Sequence, residues 1–189
     1  MALQSFMTPL GTPLPPTTLP NLNGESVNLE ELRGNGPLVV VFACNHCPYV
    51  RHVEATLGKV AAASAQNGVA WAAISSNDAS RHPEDDVPGL KEQSVRAAWD
   101  FPYLVDADQS AARAFGAACT PDFFLFDDAG RLAYRGALDT STPGNGEPLT
   151  GELLREAIGL VRSGQPVPEP HRPSMGCSIK WLPGNDPTA

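Results

Sequence analysis

The chain has 189 residues, a length that predicts one domain with additional segments at its ends. Hydrophobic residues make up 42% of the sequence and charged residues 18%, a balance that allows a packed core and excludes wholesale disorder. The formal net charge of −8 argues against nucleic acid or an anionic membrane surface as the main partner.

Proline is concentrated at the two ends of the chain. Residues 1–20 contain five of the 19 prolines and residues 166–189 contain six. Proline interrupts helices and strands because it has no backbone N–H. We therefore expect an irregular N-terminal extension over 1–19, a folded domain over 20–165, and a proline-rich tail over 166–189 that docks on the domain.

The N-terminal residues also bear on location. They lack the basic start and continuous apolar run of a secretory signal. No run of eighteen apolar residues that could span a bilayer occurs in the sequence. We therefore expect a cytoplasmic protein. In a reducing compartment, the four cysteines indicate catalysis or metal binding more often than structural disulfides.

The first half of the domain predicts strands that alternate with helices. A turn at 23–26 predicts a short hairpin, and 38–42 is a β-branched apolar run typical of a strand buried on both faces. Apolar residues at helical spacing predict a helix over 48–66, and 69–75 predicts the next strand. Residues 77–88 predict a long loop with solvated acidic side chains: Asp78, Glu84, Asp85 and Asp86.

The second half continues the alternation and ends with a hairpin and a helix. Helices are predicted over 89–99, 110–117 and 151–163, and strands over 103–105, 122–126 and 132–134. This order of elements predicts an α/β fold with a central β-sheet flanked by helices. Because the last two strands form a hairpin, the sheet is expected to be mixed.

Two cysteines stand where the predicted buried strand gives way to the first long helix. Cys44 and Cys47 belong to the motif Cys44-Asn45-His46-Cys47. A helix N-terminus stabilises a thiolate through its unpaired N–H groups and the positive end of its dipole, and His46 adds positive charge nearby. Only a thiolate attacks, so a lowered pKa at Cys44 would make it reactive. The alternative is that both are ordinary buried cysteines.

Two segments resemble a known family. Residues 39–50 read VVVFACNHCPYV, which resembles the active-site segment of thioredoxin-fold proteins, and residues 119–126 read CTPDFFLF, which resembles their cis-proline strand. The sequence is most similar to the peroxiredoxin-like group labelled AhpC/TSA-family or thioredoxin-family proteins, over roughly residues 20–165. The tail segment 173–181 also fits that group. The resemblance implies a thioredoxin-like fold.

The resemblance also implies a role for individual residues. It makes Cys44 the exposed attacking thiol and Cys47 the resolving thiol. It makes Thr120 the residue whose backbone would pair with a bound substrate chain, next to a cis Pro121. Cis X-Pro bonds are uncommon in folded proteins, and the alternative at this position is a trans turn before a strand.

The sequence departs from the family patterns close to the motif. Peroxiredoxins carry a threonine three residues before the peroxidatic cysteine and a proline further upstream. The peroxidatic cysteine corresponds to Cys47 here, the threonine to Cys44 and the proline to Val40. We therefore expect weak peroxidase turnover. The tryptophan and buried acid of thioredoxin correspond to Ala43 and Leu38. Glu54 is a possible substitute for that acid, although a solvated helix face is its more ordinary role.

The remaining two cysteines have a redox role in one interpretation and a packing role in the other. Cys119 precedes Thr120, so the fold would place it near Cys44. The tail segment 174–182 carries apolar residues at every second position and is predicted to dock as an extended segment beside the Cys44 loop: Met175, Cys177, Ile179 and Trp181. Cys177 would then be a third resolving thiol. The alternative is that Cys119 fills the core and Cys177 is incidental.

These observations predict an antioxidant-type thiol–disulfide oxidoreductase that uses its own redox-active cysteines, with no other cofactor and no metal. Its expected partners are a protein or small-molecule disulfide, or a peroxide, and a thiol reductant such as a thioredoxin or glutathione system. Three alternatives stay open: a hydroperoxide reductase, a non-catalytic scaffold, and a copper or zinc protein. The metal ligands would then be Cys44 and Cys47 with His46 or His52.

Overall fold

A mixed five-stranded sheet forms the centre of the protein, whose computed structural model describes residues 2–187. The sheet order is β6-β5-β4-β8-β9. These strands are β4 (Leu38–Phe42), β5 (Ala70–Ser75), β6 (Tyr103–Val105), β8 (Asp122–Phe126) and β9 (Leu132–Gly136). The pairs β4/β5 and β5/β6 are parallel, whereas β4/β8 and β8/β9 are antiparallel. The predicted α/β fold with a central mixed sheet is confirmed.

Helices cover both faces of this sheet because β4 is apolar on both sides. Val39 and Val41 point to one face, where they meet α2 (Pro48–Ala65), α3 (Val87–Ala97) and α5 (Glu152–Arg162). The alternate residues of β4 point to the other face, which is covered by two short helices. These are α1 (Leu29–Arg33) and α4 (Ser110–Phe115). Every residue of β4 is fully buried, as its unbroken apolar run predicts.

A small hairpin precedes the main sheet. Strands β2 (Thr18–Pro20) and β3 (Ser26–Asn28) pair antiparallel around the turn at 23–26, so the hairpin predicted there is confirmed. The loop at 77–88 is more ordered than the sequence suggests: a 3₁₀ turn spans Pro83–Asp85, and α3 begins at Val87 with Asp86 as its N-cap.

The two chain ends meet in a separate three-stranded sheet. Strand β10 (Met175–Ser178) lies between β1 (Ala2–Gln4) and β7 (Cys119–Thr120), and both pairings are antiparallel. The expectation of an irregular N-terminal extension over 1–19 is therefore wrong at β1, whereas the tail over 166–189 contributes the extended strand β10. The prolines of the two ends all lie outside β1 and β10, so the backbone donors that a ladder needs are present there. Over residues 2–187, none of the helices has the length and apolarity that a bilayer crossing requires.

Candidate active site

Cys44 and Cys47 lie at the junction of β4 and α2, as the sequence predicts. Cys44 follows β4 by two residues, Cys47 is the N-cap of α2, and Pro48 occupies the first turn, where a missing N–H leaves no bond unmade. Both side chains have 0% relative exposure. The expectation of an exposed Cys44 is therefore wrong, because the chain around Thr120 covers the pair: Cys44 Sγ lies 3.4 Å from Thr120 Oγ1.

The electrostatics of the pair favour a thiolate on Cys47. The pKa of Cys47 is lowered because the Cys44 thiol, the Thr120 hydroxyl, the Cys177 thiol and the Val50 N–H all donate towards its sulfur. Burial opposes this shift, and the Thr120 carbonyl oxygen, 3.1 Å from Cys47 Sγ, would accept the proton of the neutral thiol. The pKa of Cys47 is lowered on balance because the donors outnumber this single acceptor.

Cys44 shifts in the opposite direction. Its pKa is raised well above the ordinary value by its hydrogen bond to Cys47, by burial and by the negative charge of Asp85. The expectation of a lowered pKa at Cys44 is therefore wrong. The physical reason is position: Cys47 caps the helix itself, whereas Cys44 lies deeper and beside a carboxylate.

The edge of β7 is already occupied. The peptide bond between Thr120 and Pro121 is cis, as the resemblance implies. The resemblance also makes the Thr120 backbone the partner of a bound substrate chain, but here Thr120 pairs with Cys177 of the protein's own β10. In this structure the tail therefore takes the place expected for a substrate strand.

Asp85 is a central residue of the site that the sequence analysis missed. It is only 3% exposed, although the loop at 77–88 was expected to present solvated acids. Its Oδ1 accepts from the backbone N–H groups of Asn45 and His46, at 2.8 and 3.1 Å. Its Oδ2 accepts from Asn77 Nδ2 at 2.7 Å and lies 2.6 Å from His46 Nδ1.

The Asp85 contacts fix both the shape and the charge of the motif loop. The hydrogen bond and charge of Asp85 raise the pKa of His46, and hydrogen bonds from His46 and Asn77 lower the pKa of Asp85 against the effect of burial. One signal in the sequence could have found this residue. Loops that follow neighbouring parallel strands meet at one edge of a sheet, and the segment with Asp85 follows β5, the parallel neighbour of β4.

A second, partly buried network ties the motif loop to α3. Glu54 is only 7% exposed, so its expected place on a solvated helix face is wrong. It forms an ion pair with Arg96, whose Nε lies 2.7 Å from Glu54 Oε1. Arg96 Nη2 also donates to Asn45 Oδ1 at 2.8 Å, and Gln93 Nε2 donates to the Cys44 carbonyl at 3.2 Å.

The other two cysteines differ in their relation to the pair. Cys177 is partly exposed, and its thiol hydrogen-bonds to Cys47; burial and this bond raise the pKa of Cys177 to about 11. Cys119 is fully buried, its sulfur lies 3.7 Å from the Pro121 carbonyl, and burial raises its pKa. The structure therefore brings Cys177, rather than Cys119, into contact with the motif.

The tail follows the expected path with one difference. Residues 175–178 form β10 beside the motif, and Ile179 is 2% exposed and belongs to the buried cluster that contains Phe42 and Phe115. Met175 is 38% exposed, so the predicted burial of every second side chain fails there. Met175 instead lines a cavity of about 270 Å³ beside Pro121, together with Tyr49, His52 and Arg172.

The residues that could hold a metal differ from those expected. Within residues 2–187, one group of three metal-ligand residues has its ligand atoms within 4.8 Å of one another: Cys44, His46 and Asp85. Cys47 is not in this group, and the Nε2 atom of His52 is instead hydrogen-bonded to Ser141 Oγ at 2.8 Å. His46 and Asp85 already hydrogen-bond to each other, so the group is satisfied as an ion pair.

Comparisons with known proteins place this geometry in context. The Redoxin family model matches residues 9–150, and no curated protein matches the chain. An uncharacterized conserved protein from Geobacillus kaustophilus is 45% identical, with 97% of this chain and 98% of that chain covered at a TM-score of 0.94. A hypothetical protein from Sinorhizobium meliloti 1021 is 42% identical, with 96% and 99% covered and a TM-score of 0.93.

A more distant structure shares the fold alone. It is a secreted Mycobacterium tuberculosis disulfide oxidoreductase homologous to E. coli DsbE. It is 20% identical, with 76% of this chain and 94% of that chain covered at a TM-score of 0.60.

Proposed function

Because the chain belongs to the redoxin family, we propose that it is a thiol–disulfide oxidoreductase whose redox centre is the pair Cys44 and Cys47. The observation that carries the proposal is that both sulfurs meet at Thr120 beside the start of α2: Cys44 Sγ lies 3.4 Å from its hydroxyl and Cys47 Sγ 3.1 Å from its carbonyl oxygen. Each thiol also shifts the pKa of the other. Two sulfurs in contact can close a disulfide, and a thiolate in that position can open one.

In the proposed reaction, Cys47 attacks first and Cys44 resolves. The Cys47 thiolate attacks one sulfur of a substrate disulfide, the substrate S–S bond breaks, and the leaving sulfur takes a proton from solvent. Cys44 then loses its proton and attacks the Cys47 sulfur, which releases the second substrate thiol. The substrate gains two electrons and the pair becomes a disulfide. This order reverses the one expected from the resemblance, and it is supported by the lowered pKa of Cys47.

Asp85 serves as a positioning residue in this proposal. Its two bonds to the Asn45 and His46 N–H groups hold the loop that carries both cysteines. Its charge disfavours ionisation of Cys44, which supports the placement of the thiolate on Cys47.

The partners in this proposal are those of disulfide exchange. The substrate is a protein or small-molecule disulfide, and an external thiol, such as one of a thioredoxin or glutathione system, returns the pair to its reduced form. We place the reaction in the cytoplasm and assign it no cofactor beyond the cysteines. Both sulfurs are buried, so a substrate reaches them only when the cover formed by the tail moves.

Hydroperoxide reduction is the second candidate. The lowered pKa of Cys47 suits attack on a peroxide oxygen, which would yield a sulfenic acid on Cys47 and an alcohol or water. Val40 and Cys44 stand where peroxiredoxins carry proline and threonine, so we expect this activity to be weak.

Two assays on the full chain separate the candidates. The wild type should accelerate insulin reduction by dithiothreitol. This acceleration should be lost in Cys47→Ala and kept in the matched variant Cys119→Ala. Cys44→Ser combined with Cys177→Ser, which leaves no other thiol in contact with Cys47, should accumulate a mixed disulfide on Cys47. Hydrogen peroxide consumption should be slow by comparison. Fast peroxide consumption without insulin reduction would overturn the first candidate in favour of the second.

A further inference from the structure

The tail strand β10 is seated against the active site with almost no clearance. Cys177 lies opposite Thr120 and Ser178 opposite Cys119 in the antiparallel ladder, and β1 holds the other edge of the strand. A Cβ atom on Gly176 would lie 1.9 Å from the Thr120 carbonyl oxygen, far inside van der Waals contact. Only glycine allows the backbone to approach this closely, so the seating of β10 against Thr120 depends on Gly176.

This seat places Cys177 on the outer side of Cys47. Cys177 packs against the buried cluster that contains Cys44 and Cys47. Its ladder partner is Thr120, whose carbonyl oxygen lies 3.1 Å from Cys47 Sγ, and Cys47 acts on the pKa of Cys177. Cys44 and Cys47 have no exposed surface, whereas Cys177 is partly exposed. Of the three sulfurs, Cys177 is therefore the one that a molecule in solvent reaches first.

We propose that Cys177 is a second resolving thiol, which forms a disulfide with Cys47 inside the chain and passes the oxidising equivalents to an external thiol. The proposal rests on the proposed function and deepens it, since it names the route by which the oxidised pair is reduced. The tail strand then acts as a resident substrate, held where a substrate chain was expected.

The exchange balances in two steps. In the first, Cys177 attacks the Cys47 sulfur, the bond between Cys44 and Cys47 breaks, a bond between Cys47 and Cys177 forms, and the proton of Cys177 ends on Cys44. In the second, an external thiol attacks the Cys177 sulfur, Cys47 leaves as a thiolate, and a second external thiol releases the first as a disulfide. Two external thiols are oxidised and the chain's disulfide is reduced.

The contacts of Cys47 favour both steps. The pKa of Cys177 is raised first by burial and then by the hydrogen bond and charge of Cys47. The contribution of Cys47 is lost once Cys47 is in a disulfide. In the second step the attacked sulfur is the accessible one, and the leaving sulfur is the one whose pKa is lowered. Thiols of low pKa leave faster.

Disulfide mapping tests the pairing. The full-length Cys44→Ser variant is oxidised with hydroxyethyl disulfide, quenched in acid and mapped by non-reducing mass spectrometry. We expect a disulfide between Cys47 and Cys177 as the main product, also in the double variant that adds Cys119→Ala. If Cys47 instead holds the probe and Cys177 stays reduced, while the wild type closes Cys44 to Cys47, the inference fails and the proposed function stands. If the wild type closes no disulfide at Cys47, both fail.

Kinetics test the route. The oxidised wild type, Cys177→Ser and Cys119→Ala are re-reduced with 2-mercaptoethanol, and the appearance of free thiols is followed. Cys177→Ser should be slower by at least about tenfold, because the monothiol must reach a buried disulfide, whereas Cys119→Ala should match the wild type. Equal rates for Cys177→Ser and the wild type would overturn the relay.

Discussion

Asp85 Oδ2 lies 2.6 Å from His46 Nδ1, and the same carboxylate receives the backbone N–H groups of Asn45 and His46 through its other oxygen. One side chain from the loop after β5 thus holds the loop after β4. His46 and Asp85 are 39 residues apart in sequence. The negative charge of Asp85 acts on both Cys44 and His46 and raises the pKa of each.

The substitution Asp85→Asn should destabilise the protein by about 2 to 3 kcal/mol, since hydrogen bonds to a buried charge are replaced by weaker ones. Asp86→Asn is the matched control. Asp86 is exposed and its side chain caps α3 by accepting from the Gly89 N–H, which asparagine also does. Urea denaturation of the full chain measures both. Equal stability of the two variants would contradict the role of Asp85.

The stability of the wild type should depend on pH through the same pair. The lowered pKa of Asp85 contributes stability above the unfolded value of about 3.9 that is lost as the pH falls. The raised pKa of His46 contributes stability below the unfolded value of about 6.5 that is lost as the pH rises. The pair therefore stabilises most between about pH 4 and pH 6.5. Between about pH 6 and pH 8, the free energy of unfolding should fall less in Asp85→Asn than in the wild type. Urea denaturation at each pH measures this, and parallel pH curves for the two proteins would contradict the role of the Asp85–His46 pair.

Gly176→Ala should release the tail strand, because the added Cβ meets the Thr120 carbonyl oxygen at 1.9 Å. Limited trypsin cleavage at Lys180 and iodoacetamide labelling of Cys47 should both become faster, by about tenfold or more, as local opening becomes more frequent. Gly159→Ala is the control, since the new Cβ would meet no atom within 4 Å beyond its chain neighbours and the adjacent backbone of α5. Unchanged rates in Gly176→Ala would show that the strand does not cover the site.

Asp122→Asn should stabilise the protein at neutral and alkaline pH. Burial raises the pKa of Asp122 to about 7, and within the described part of the chain its Oδ1 has no hydrogen-bond partner. The folded state therefore keeps a proton that the unfolded chain releases above about pH 3.9, so this residue lowers stability as the pH rises towards 7.

The gain from Asp122→Asn should reach up to about 4 kcal/mol near pH 8 and vanish near pH 4. Asp139→Asn serves as the contrast. Asp139 is equally buried but accepts from the N–H groups of Ser141, Thr150 and Gly151, so its loss should destabilise at both pH values. Thermal melts across this range measure both variants. A wild type more stable than Asp122→Asn at pH 8 would contradict the buried-acid account.

The elements that the sequence predicted well are those set by local patterns. The apolar run of β4 and the helical spacing of α2 fixed the junction at which Cys44 and Cys47 lie, because burial on both faces and amphipathic periodicity are local properties. Asp85 and Glu54 were expected to be solvated because their surroundings in sequence are polar. Their burial depends on partners 39 and 42 residues away, which no local pattern encodes.

The tail lies between these two cases. Its alternating apolar residues predicted an extended docked segment, and β10 occupies that place beside the motif. The exposed Met175 was not predicted, since the cavity it lines is formed by residues from α2, β8 and the loops near the tail. The assignment of the thiolate to Cys47 was also not predicted. It depends on which of the two sulfurs accepts the other's hydrogen bond in the folded structure.

The central claim, that Cys47 carries the thiolate of the redox pair, is tested most directly by titrating the ultraviolet absorbance of thiolates in the reduced full chain. This signal does not require a reagent to reach a buried sulfur. The wild type and Cys119→Ala should both show one thiolate that forms well below the ordinary cysteine pKa of about 8.5, and Cys47→Ala should lack it. A low-pH thiolate that persists in Cys47→Ala and disappears in Cys44→Ala would contradict the account and assign the attacking sulfur to Cys44.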